Sequence, residues 1–489
     1  MAGVYAVATS VAAPATGERL LSQFGCESIP YLAGYPGKNG MALLICEAVS
    51  GIMLTMKIKR DFYLRRLVEA KGDGFVKIVT GIRRCGKSYL LFNLFKSHLL
   101  KDGVRRENIV EIALDRKKDA KLRDPDVLYD FLSRQTARKR GRVYVFIDEI
   151  QECRRPKGVG RETPEEKAER EQQFYDILND FRQRKNIDLY VTGSNSRLLV
   201  TDVATQFRGR GEAIQVNQLT FSEYYAAVGG DKSDAWSQYL LYGGMPELFS
   251  MRTDAAKRAY LEGLFKTIYF RDIVERYELH DDYFLASVND VLMSSTGGLT
   301  NPTKLANHLG TVLGKKPDPR TVGRYIGMLA DAYLFRKAER FDIKGRNYLD
   351  FPSKYYPADV GLRNARLNFR QIEPDHLMEC AIYNELVARG ANVDVGVLEV
   401  ESRKGGKREA KQLEIDFIVN LGRKKVYIQS AYRLAGADKM EQETRGLRKI
   451  GDSFQKIVVV DGVQPYYTDE SGVSFVGLMD FMLNREILA

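Results

Sequence analysis

Residues 81–88 carry the residue types that bind phosphate. They read Gly-Ile-Arg-Arg-Cys-Gly-Lys-Ser and lie between an apolar run, residues 75–80, and a helical pattern, residues 89–100. Glycines let successive backbone N–H groups close around phosphates, and the start of a helix adds partial positive charge. In this motif the Lys87 ammonium neutralises the β- and γ-phosphates, and the Ser88 hydroxyl coordinates Mg²⁺. The sequence therefore predicts a site for ATP with Mg²⁺. The residues predicted to contact the nucleotide are Gly81, Ile82, Arg83, Arg84, Cys85, Gly86, Lys87, Ser88 and Tyr89.

Two carboxylates follow a second apolar run, residues 142–147. They are Asp148 and Glu149. Asp148 is suited to hold Mg²⁺ together with Ser88, and Glu149 is suited to polarise the water that attacks the γ-phosphate. Paired acids at the end of a strand can instead be solvated or cap the next helix. The phosphate-binding motif upstream favours the catalytic interpretation.

Polar residues after a third apolar run, residues 187–192, extend the predicted site. Ser194 and Asn195 follow that run, and a polar side chain there can contact the γ-phosphate or orient the water. A plain turn is the alternative. Arg208 and Arg210 stand among glycines, and either guanidinium can stabilise transition-state charge, in this chain or from a neighbouring subunit. A solvated turn is the alternative for these arginines.

The apolar runs and the helical patterns between them indicate how these residues are positioned. Three buried strands that each end in polar residues predict a parallel α/β sheet with its site at the carboxyl ends. Residues 255–339 are helical in period, and within them residues 302–309 and 318–334 resemble the helices of a helix-turn-helix, followed by a small wing. Residues 350–489 mix helical and strand patterns, which predicts a mixed α/β domain.

The chain of 489 residues is long enough for about three domains. The expected organisation is an extension over residues 1–52, an ATPase core over 53–230, a helical and winged-helix-like region over 231–345, and a nuclease-like α/β domain over 346–489. The extension is interpreted as an upstream prolongation of the reading frame, with the natural start at Met53 or Met56.

Composition excludes several classes of protein. The balance of 75 Lys and Arg against 64 Asp and Glu gives a net charge of +11, which permits nucleic acid as a partner without requiring it. Five scattered cysteines without close pairs argue against a disulfide framework or a zinc ribbon and favour the reducing cytoplasm. The four histidines show no spacing typical of a metal site. No apolar run is long enough to predict a membrane span.

Several motifs, in this order along the chain, resemble those of a known family. The family is the prokaryotic AAA-type ATPases with a carboxy-terminal domain of uncharacterised function, whose far end looks like a restriction-endonuclease fold. The resemblance covers about residues 53–489 and rests on segments 80–88, 145–149, 190–197, 207–211, 219–223, 242–246, 269–273, 354–362, 383–386, 414–417 and 427–430.

This resemblance implies an AAA-like core, a winged-helix-like segment, and ATP with Mg²⁺ as ligands. It places Lys87, Ser88, Asp148 and Glu149 in the nucleotide site. It also implies a sensor role for Asn195, a finger-like role for Arg208 or Arg210, and a position near the nucleotide for the turn at residues 244–246.

The far end of the chain departs from the endonuclease pattern. Endonucleases of this fold place an Asp at one strand end and an acid, any residue and a Lys on the next strand, so that metal and lysine bracket the scissile phosphate. Asp416 fills the first place, and Glu379 or Glu385 can supply a helix acid. The next strand reads Gln429-Ser430-Ala431, so it offers a weak neutral ligand and no lysine. A degenerate fold kept for binding or as a scaffold is therefore favoured over cleavage.

The preferred interpretation is a cytoplasmic ATPase that acts as a nucleotide-driven switch on a partner, with DNA as one candidate and another protein as a second. A single chain and an oligomer both fit the sequence. One alternative is an ATP-dependent nuclease with Asp416 in a second active site. Another is a DNA-binding module that holds ATP structurally and uses its helix-turn-helix.

Overall fold

A computed structural model describes residues 58–152, 163–194, 207, 209–279, 282–404, 407–434, 436–462 and 464–488. The chain divides into two units, Met1–Met56 and Lys57–Ala489, and the described residues all belong to the second. The expected extension over residues 1–52 lies outside them, as do Asn195 and Arg208.

The first sheet is built from five short strands. They are β1 (Val76–Thr80), β2 (Ile109–Ala113), β3 (Val143–Asp148), β4 (Ile187–Gly193) and β5 (Gly211–Gln215). All five run parallel in the spatial order β2-β3-β4-β1-β5. The strands β1, β3 and β4 are buried along their whole length, as in a parallel sheet covered on both faces. The predicted parallel α/β core is confirmed, with the carboxyl ends of these strands side by side.

Helices cover both faces of this sheet. They are α1 (Asp61–Glu69), α2 (Lys87–Tyr89, a π-helical segment Leu90–Phe95, then Lys96–Lys101), α3 (Pro125–Thr136) and α4 (Pro164–Gln183). Short 3₁₀ segments lie at Arg106–Asn108, Lys117–Arg123 and Ile150–Glu152. Phe95 of α2 packs against Phe146 of β3, and Leu178 of α4 packs in the cluster on the opposite face. The Asp124 side chain caps α3 by accepting from two backbone N–H groups, which fixes where that helix begins.

A helical region follows the first sheet. Its helices are α5 (Phe221–Val228), α6 (Lys232–Tyr242), α7 (Asp254–Gly263, a π-helical segment Leu264–Phe270, then Arg271–Tyr277), α8 (Asp282–Ser294), α9 (Pro302–Leu313) and α10 (Pro319–Asp331), with a short turn at Pro246–Ser250. The predicted pair of helix-turn-helix elements corresponds to α9 and α10. Their apolar sides join the same core as the residues around β1.

The second sheet is mixed and has eight strands. They are β6 (Phe335–Asp342), β7 (Asn347–Pro357), β8 (Asn392–Lys404), β9 (Lys407–Leu421), β10 (Lys424–Ala431), β11 (Gln455–Val460), β12 (Tyr467–Thr468) and β13 (Val473–Gly477). Their order is β12-β13-β11-β10-β9-β8-β6-β7. The accompanying helices are α11 (Val360–Arg366), α12 (Pro374–Ala388), α13 (Ala437–Lys449) and α14 (Leu478–Leu483), followed by a turn at Arg485–Leu488. A mixed α/β architecture over the last part of the chain is thereby present.

The expected wing is integrated into this second sheet. Strands β6 and β7 form an antiparallel hairpin directly after α10, but β6 also pairs in parallel with β8. The proposed boundary at residue 345 therefore falls in the turn between two paired strands. Among the helices that the structure describes, none combines the length and apolar character needed to cross a bilayer.

Candidate nucleotide site

The turn after β1 has the backbone of a phosphate loop. Gly81 and Gly86 have φ angles of 141° and 97°, which favour glycine. A Cβ on Gly81 would lie 2.0 Å from the carbonyl oxygen of Val216, so only glycine lets the loop pass this close to the segment after β5. Because α2 begins at Lys87, its first backbone N–H groups lie next to the loop, where anions are favoured.

Lys87 lies inside the loop that precedes it. The side chain is 3% exposed, and its Nζ donates to the carbonyl oxygens of Gly81 and Ile82 at 3.0 and 3.2 Å. An ammonium has three hydrogens, so one remains after these two bonds. The loop N–H groups, the start of α2 and this cation together concentrate positive charge at the end of β1, which suits the phosphates of a nucleotide.

The carboxylate of Asp148 is held between two hydroxyl groups. Ser88 Oγ donates to Asp148 Oδ1 at 3.0 Å, and Thr192 Oγ1 donates to the same oxygen at 2.5 Å. Burial, and then the nearby charge of Glu149, raise the pKa of Asp148, while the two hydroxyl groups oppose this. A cation beside this buried carboxylate would stabilise its charged form.

The oxygen ligands of this cluster fit Mg²⁺. Hydroxyl and carboxylate oxygens are the ligands that this ion prefers, and phosphates and water complete its shell in nucleotide sites. Within the described part of the chain no group of three or more His, Cys, Asp or Glu side chains is arranged to hold a metal. A magnesium site of the phosphate-loop type does not need such a cage, because the nucleotide supplies ligands.

Glu149 is fixed both at its backbone and at its side chain. It has a positive φ of 56°, and its N–H donates to Thr192 Oγ1 at 2.9 Å. Its carboxylate accepts a hydrogen bond from Gln151 Nε2, which also donates to Ser194 Oγ at 3.1 Å. The ends of β3 and β4 therefore form one hydrogen-bonded unit around the two acids.

Thr192 and Gln151 were missed by the sequence analysis. Thr192 is the last residue of an apolar run, so the sequence predicts only that it belongs to a strand. Its hydroxyl nevertheless donates to Asp148 and accepts from the Glu149 N–H. Gln151 stands beyond the acid pair in a short turn, where polar side chains are common. The signal that could have found both residues is the predicted parallel pairing of β3 and β4, which brings the carboxyl ends of these two strands together.

The other predicted loop residues take different positions. Cys85 is buried and its Sγ donates to the carbonyl oxygen of Val216 at 3.3 Å, so it packs the loop. Arg84 is exposed, and Arg83 and Tyr89 are half-buried. Arg84 also has a positive φ of 70°, so the loop turns sharply at a residue that is not glycine.

The structure does not bring Arg210 to this site. Arg210 immediately precedes β5, and its neighbour Gly211 pairs with Val76 at the start of β1. The phosphate loop follows Thr80 at the other end of β1, so the length of a strand separates Arg210 from it within one chain. This placement therefore does not support a finger-like role for Arg210 within one chain. A role in a neighbouring subunit stays a prediction.

Residues distant in sequence brace the phosphate loop. Arg60, 2% exposed, donates to the carbonyl oxygens of Cys85 and Asn217 at 3.0 and 2.6 Å and to Glu223 at 3.0 Å. Pro246 lies beside the loop, because a Cβ on Gly86 would be 3.9 Å from Pro246 Cγ. The turn at residues 244–246 is thus next to the loop, where the resemblance implied it.

A second cluster of charges lies in the eight-stranded sheet. Lys354 of β7 is 3% exposed, and its Nζ lies 2.8 Å from both Glu379 and Glu414 and 3.8 Å from Asp416. Tyr356 donates to the same Glu379 oxygen at 2.6 Å. Burial lowers the pKa of Lys354, but the three carboxylates outweigh it and the net shift is upward. The cluster therefore has a fixed cation of its own.

Two of the predicted nuclease-like residues stand apart from this cation. Glu385 is buried on another side of α12 and pairs with Arg389 at 2.9 Å, so it does not join Asp416. Gln429 accepts from the Asp416 backbone N–H at 3.4 Å and donates to Glu443 at 3.2 Å. Of the predicted set, Glu379 and Asp416 are brought together by Lys354, whereas Glu385 is not. Gln429 contacts Asp416 through its backbone N–H and does not reach its carboxylate.

Two families match consecutive parts of the chain. Residues 73–225 match the AAA domain, and residues 233–373 match a domain of unknown function, DUF8612. The first match covers the five-stranded sheet, the phosphate loop and both acids. The fold of that segment is an AAA-type P-loop α/β core.

Relatives of similar length exist in two distant organisms. An uncharacterised protein of Haemophilus influenzae is 29% identical over 433 residues, which cover 87% of this chain and 98% of that protein. The uncharacterised protein MJ1544 of Methanocaldococcus jannaschii is 25% identical over 390 residues, covering 76% and 78%. Among solved structures, the Walker-type ATPase PABY2304 of Pyrococcus abyssi matches with a TM-score of 0.44 and 14% identity, covering 64% of this chain and 96% of that one.

Proposed function

We propose that the protein binds ATP with Mg²⁺ and hydrolyses it to ADP and phosphate. The observation that carries this proposal is the hydrogen-bonded unit of Ser88, Asp148 and Thr192 beside a loop that already encloses Lys87. The loop N–H groups and Lys87 would bind the phosphates. Ser88 and Asp148 would hold Mg²⁺, which would supply positive charge against the phosphates.

Glu149 is the base in this proposal. Its carboxylate orients a water molecule and accepts a proton from it. The water oxygen bonds to the γ-phosphorus while the bond from that phosphorus to the β–γ bridging oxygen breaks, so ADP leaves with the bonding electrons. The remaining product is inorganic phosphate.

The proposed role of hydrolysis is to switch the chain between two arrangements. Arg336 of β6 donates to the side-chain carbonyl oxygens of Asn217, next to the phosphate loop segment, and of Asn384 on α12. Arg60 joins the same Asn217 residue to the loop at Cys85. A shift of the loop on nucleotide binding would therefore be transmitted to the second sheet through these hydrogen bonds. ATP would then change the populations of the two arrangements by binding one of them more tightly than the other.

Phosphate release from ATP and Mg²⁺ tests the ATPase. Lys87→Ala should abolish release and weaken ATP binding, whereas Glu149→Gln should retain ATP binding and lose turnover, by about 10²-fold or more. Lys101→Ala, at the exposed end of α2, is the matched control and should behave as the wild type. Turnover that survives Glu149→Gln would favour the alternative in which ATP is structural.

Duplex DNA is the partner that the helical region fits best. Four cationic side chains on and before α10 are exposed: Lys315, Lys316, Arg320 and Arg324. None of them forms an ion pair with another residue that the structure describes, and the nearby Asp318 is engaged in capping α10. Exposed cations without ion pairs, on two helices and their connection that resemble a helix-turn-helix, are suited to phosphate contacts.

Salt dependence tests this partner. Each Lys or Arg that contacts a DNA phosphate releases counterions, so removing one should make the negative slope of log affinity against log salt shallower by about 1. Arg320→Ala and Arg324→Ala should each have that effect on a DNA duplex, and exposed Lys232→Ala on α6 should not. Binding that is absent, or equal for all variants, would favour a protein partner.

The nuclease alternative now depends on Lys354. Among the residues that the structure describes, its ammonium is the cation that pairs with Glu379, Glu414 and Asp416. A cation fixed there opposes a second, divalent one by charge repulsion. This supports a scaffold role for the second sheet. Metal-dependent DNA cleavage that disappears in Asp416→Ala would instead favour the nuclease.

A further inference from the structure

We propose that Gln151 positions both Glu149 and the attacking water, and this rests on the ATP hydrolysis proposed above. Gln151 lies in the turn Ile150–Glu152 that directly follows the acid pair. Its role would be to hold the Glu149 carboxylate and to contact the attacking water directly, in addition to the roles proposed above for Lys87, Ser88, Asp148 and Glu149.

Both hydrogens of the Gln151 amide group have acceptors. One goes to the Glu149 carboxylate and the other to Ser194 Oγ at 3.1 Å. Because an amide group has two donors on nitrogen and only acceptors on oxygen, the reverse orientation would set the carbonyl oxygen against a carboxylate. These contacts therefore fix which way the amide faces and hold one Glu149 oxygen in place.

The other end of the same amide lacks a donor. Gln151 Oε1 is buried and accepts no hydrogen bond within the part of the chain that the structure describes. Buried polar atoms are nearly always satisfied, by protein or by an ordered water. Water is the donor that the hydrolysis reaction brings to this turn, since Glu149 is its base.

A water molecule has two O–H groups, and this turn offers two acceptors. One O–H would donate to the Glu149 oxygen that Gln151 leaves unoccupied, and the other to Gln151 Oε1. With both hydrogens held, the lone pairs of the water oxygen are directed away from the protein towards the phosphate. Gln151 exchanges no proton and no electrons. The proton goes to Glu149, the water oxygen bonds to the γ-phosphorus, and ADP leaves.

Two phosphate mimics separate water positioning from nucleotide binding. ADP with beryllium fluoride imitates bound ATP, whereas ADP with aluminium fluoride imitates the transition state and includes the attacking water. For Gln151→Ala we expect a kcat at least about tenfold lower, with the Kd for ATP changed by less than about threefold. The affinity for ADP with aluminium fluoride should fall in parallel with kcat, and that for ADP with beryllium fluoride should not change. Gln172→Ala, an exposed glutamine of α4, is the control.

Ser194→Ala is the second variant, because it leaves Gln151 in place and removes only its second acceptor. It should lower kcat less than Gln151→Ala does, and the double variant should be no slower than Gln151→Ala, since the two side chains act as one unit. Equal loss of both fluoride complexes in Gln151→Ala would reveal a merely structural role and overturn the proposal. Wild-type turnover in Gln151→Ala, with Glu149→Gln inactive, would overturn it while leaving the ATPase intact. A wild-type chain that releases no phosphate would overturn both.

Discussion

The hydroxyl of Tyr333 donates a hydrogen bond to Thr80 Oγ1 at 2.9 Å, although 253 residues separate them along the chain. Thr80 is the last residue of β1, immediately before the phosphate loop, and both side chains are buried. Tyr333 stands between α10 and β6 with a positive φ of 59°. The junction of the helical region and the second sheet is therefore anchored at the base of the loop.

Replacing Tyr333 by Phe should destabilise the fold measurably. The substitution keeps the ring and leaves the buried Thr80 hydroxyl without this donor, which costs about 1–3 kcal/mol. Urea unfolding followed by circular dichroism measures the change. Tyr283→Phe is the control, because Tyr283 is 67% exposed. Adding Thr80→Val should recover part of the loss, since it removes the unsatisfied partner, and no recovery would show that the ring position matters instead.

The phosphate loop and its two acids could be predicted because their signals are local. Residues 81–88 form a contiguous motif, and Asp148 directly ends an apolar strand. The strands β2 and β5 were not predicted. They lie at the sheet edges, and β2 carries Glu111, paired with Lys96 at 2.9 Å, so neither strand shows the unbroken apolar run of a central strand.

The second charged cluster could not be predicted from local patterns. Asp416 and Glu379 were named from their strand and helix, but the cation that joins them comes from β7, which pairs at the far edge of the sheet order. A lysine that long-range topology brings into a cluster leaves no mark in the spacing of neighbouring residues. The same holds for Thr192, whose hydroxyl matters only because β3 and β4 are neighbours.

Thr192→Val should impair hydrolysis more than it impairs folding. Valine keeps the shape of the side chain but removes the donor to Asp148 and the acceptor of the Glu149 N–H. We expect kcat to fall by about tenfold or more, in line with the loss of one or two hydrogen bonds to charged or strained groups. Thr192→Ser keeps the hydroxyl and should retain most activity. Equal activities of the Val and Ser variants would contradict this role.

Asp359 gives the chain a specific dependence of stability on pH. Its carboxylate accepts the backbone N–H groups of Gly244 and Leu362 at 2.8 and 2.9 Å. Burial nevertheless raises its pKa from 3.8 to about 6. Because the folded pKa lies above the unfolded one, the folded state holds the proton more tightly. The stabilising contribution is complete below about pH 4 and is lost as the pH rises through 6.

Urea unfolding between pH 4 and pH 7 tests this linkage. Relative to Asp359→Asn, the wild-type free energy of unfolding should decrease by about 2 kcal/mol over that range, because the pKa of Asp359 is about 6 in the folded chain and 3.8 in the unfolded one. The comparison concerns the slope with pH, because asparagine also alters the hydrogen bonds to Gly244 and Leu362. Parallel curves for the two proteins would show that Asp359 titrates normally in the folded chain.

Lys354→Met should destabilise the second sheet and create a response to Mg²⁺. Removing the ammonium leaves the buried carboxylate of Asp416 and the partly buried carboxylate of Glu379 without their cation, and breaking a buried pair costs about 3–5 kcal/mol. A divalent cation can then replace the lost charge, so thermal unfolding of the variant should shift upward with Mg²⁺ and downward with a chelator. The wild type, whose cluster already contains a cation, should shift much less. Lys337→Met is the control, because its ion pair with Glu339 is exposed and contributes about 0–1 kcal/mol. Equal stabilisation of wild type and variant by Mg²⁺ would instead mean that the carboxylates bind metal beside Lys354, as a working nuclease site would require.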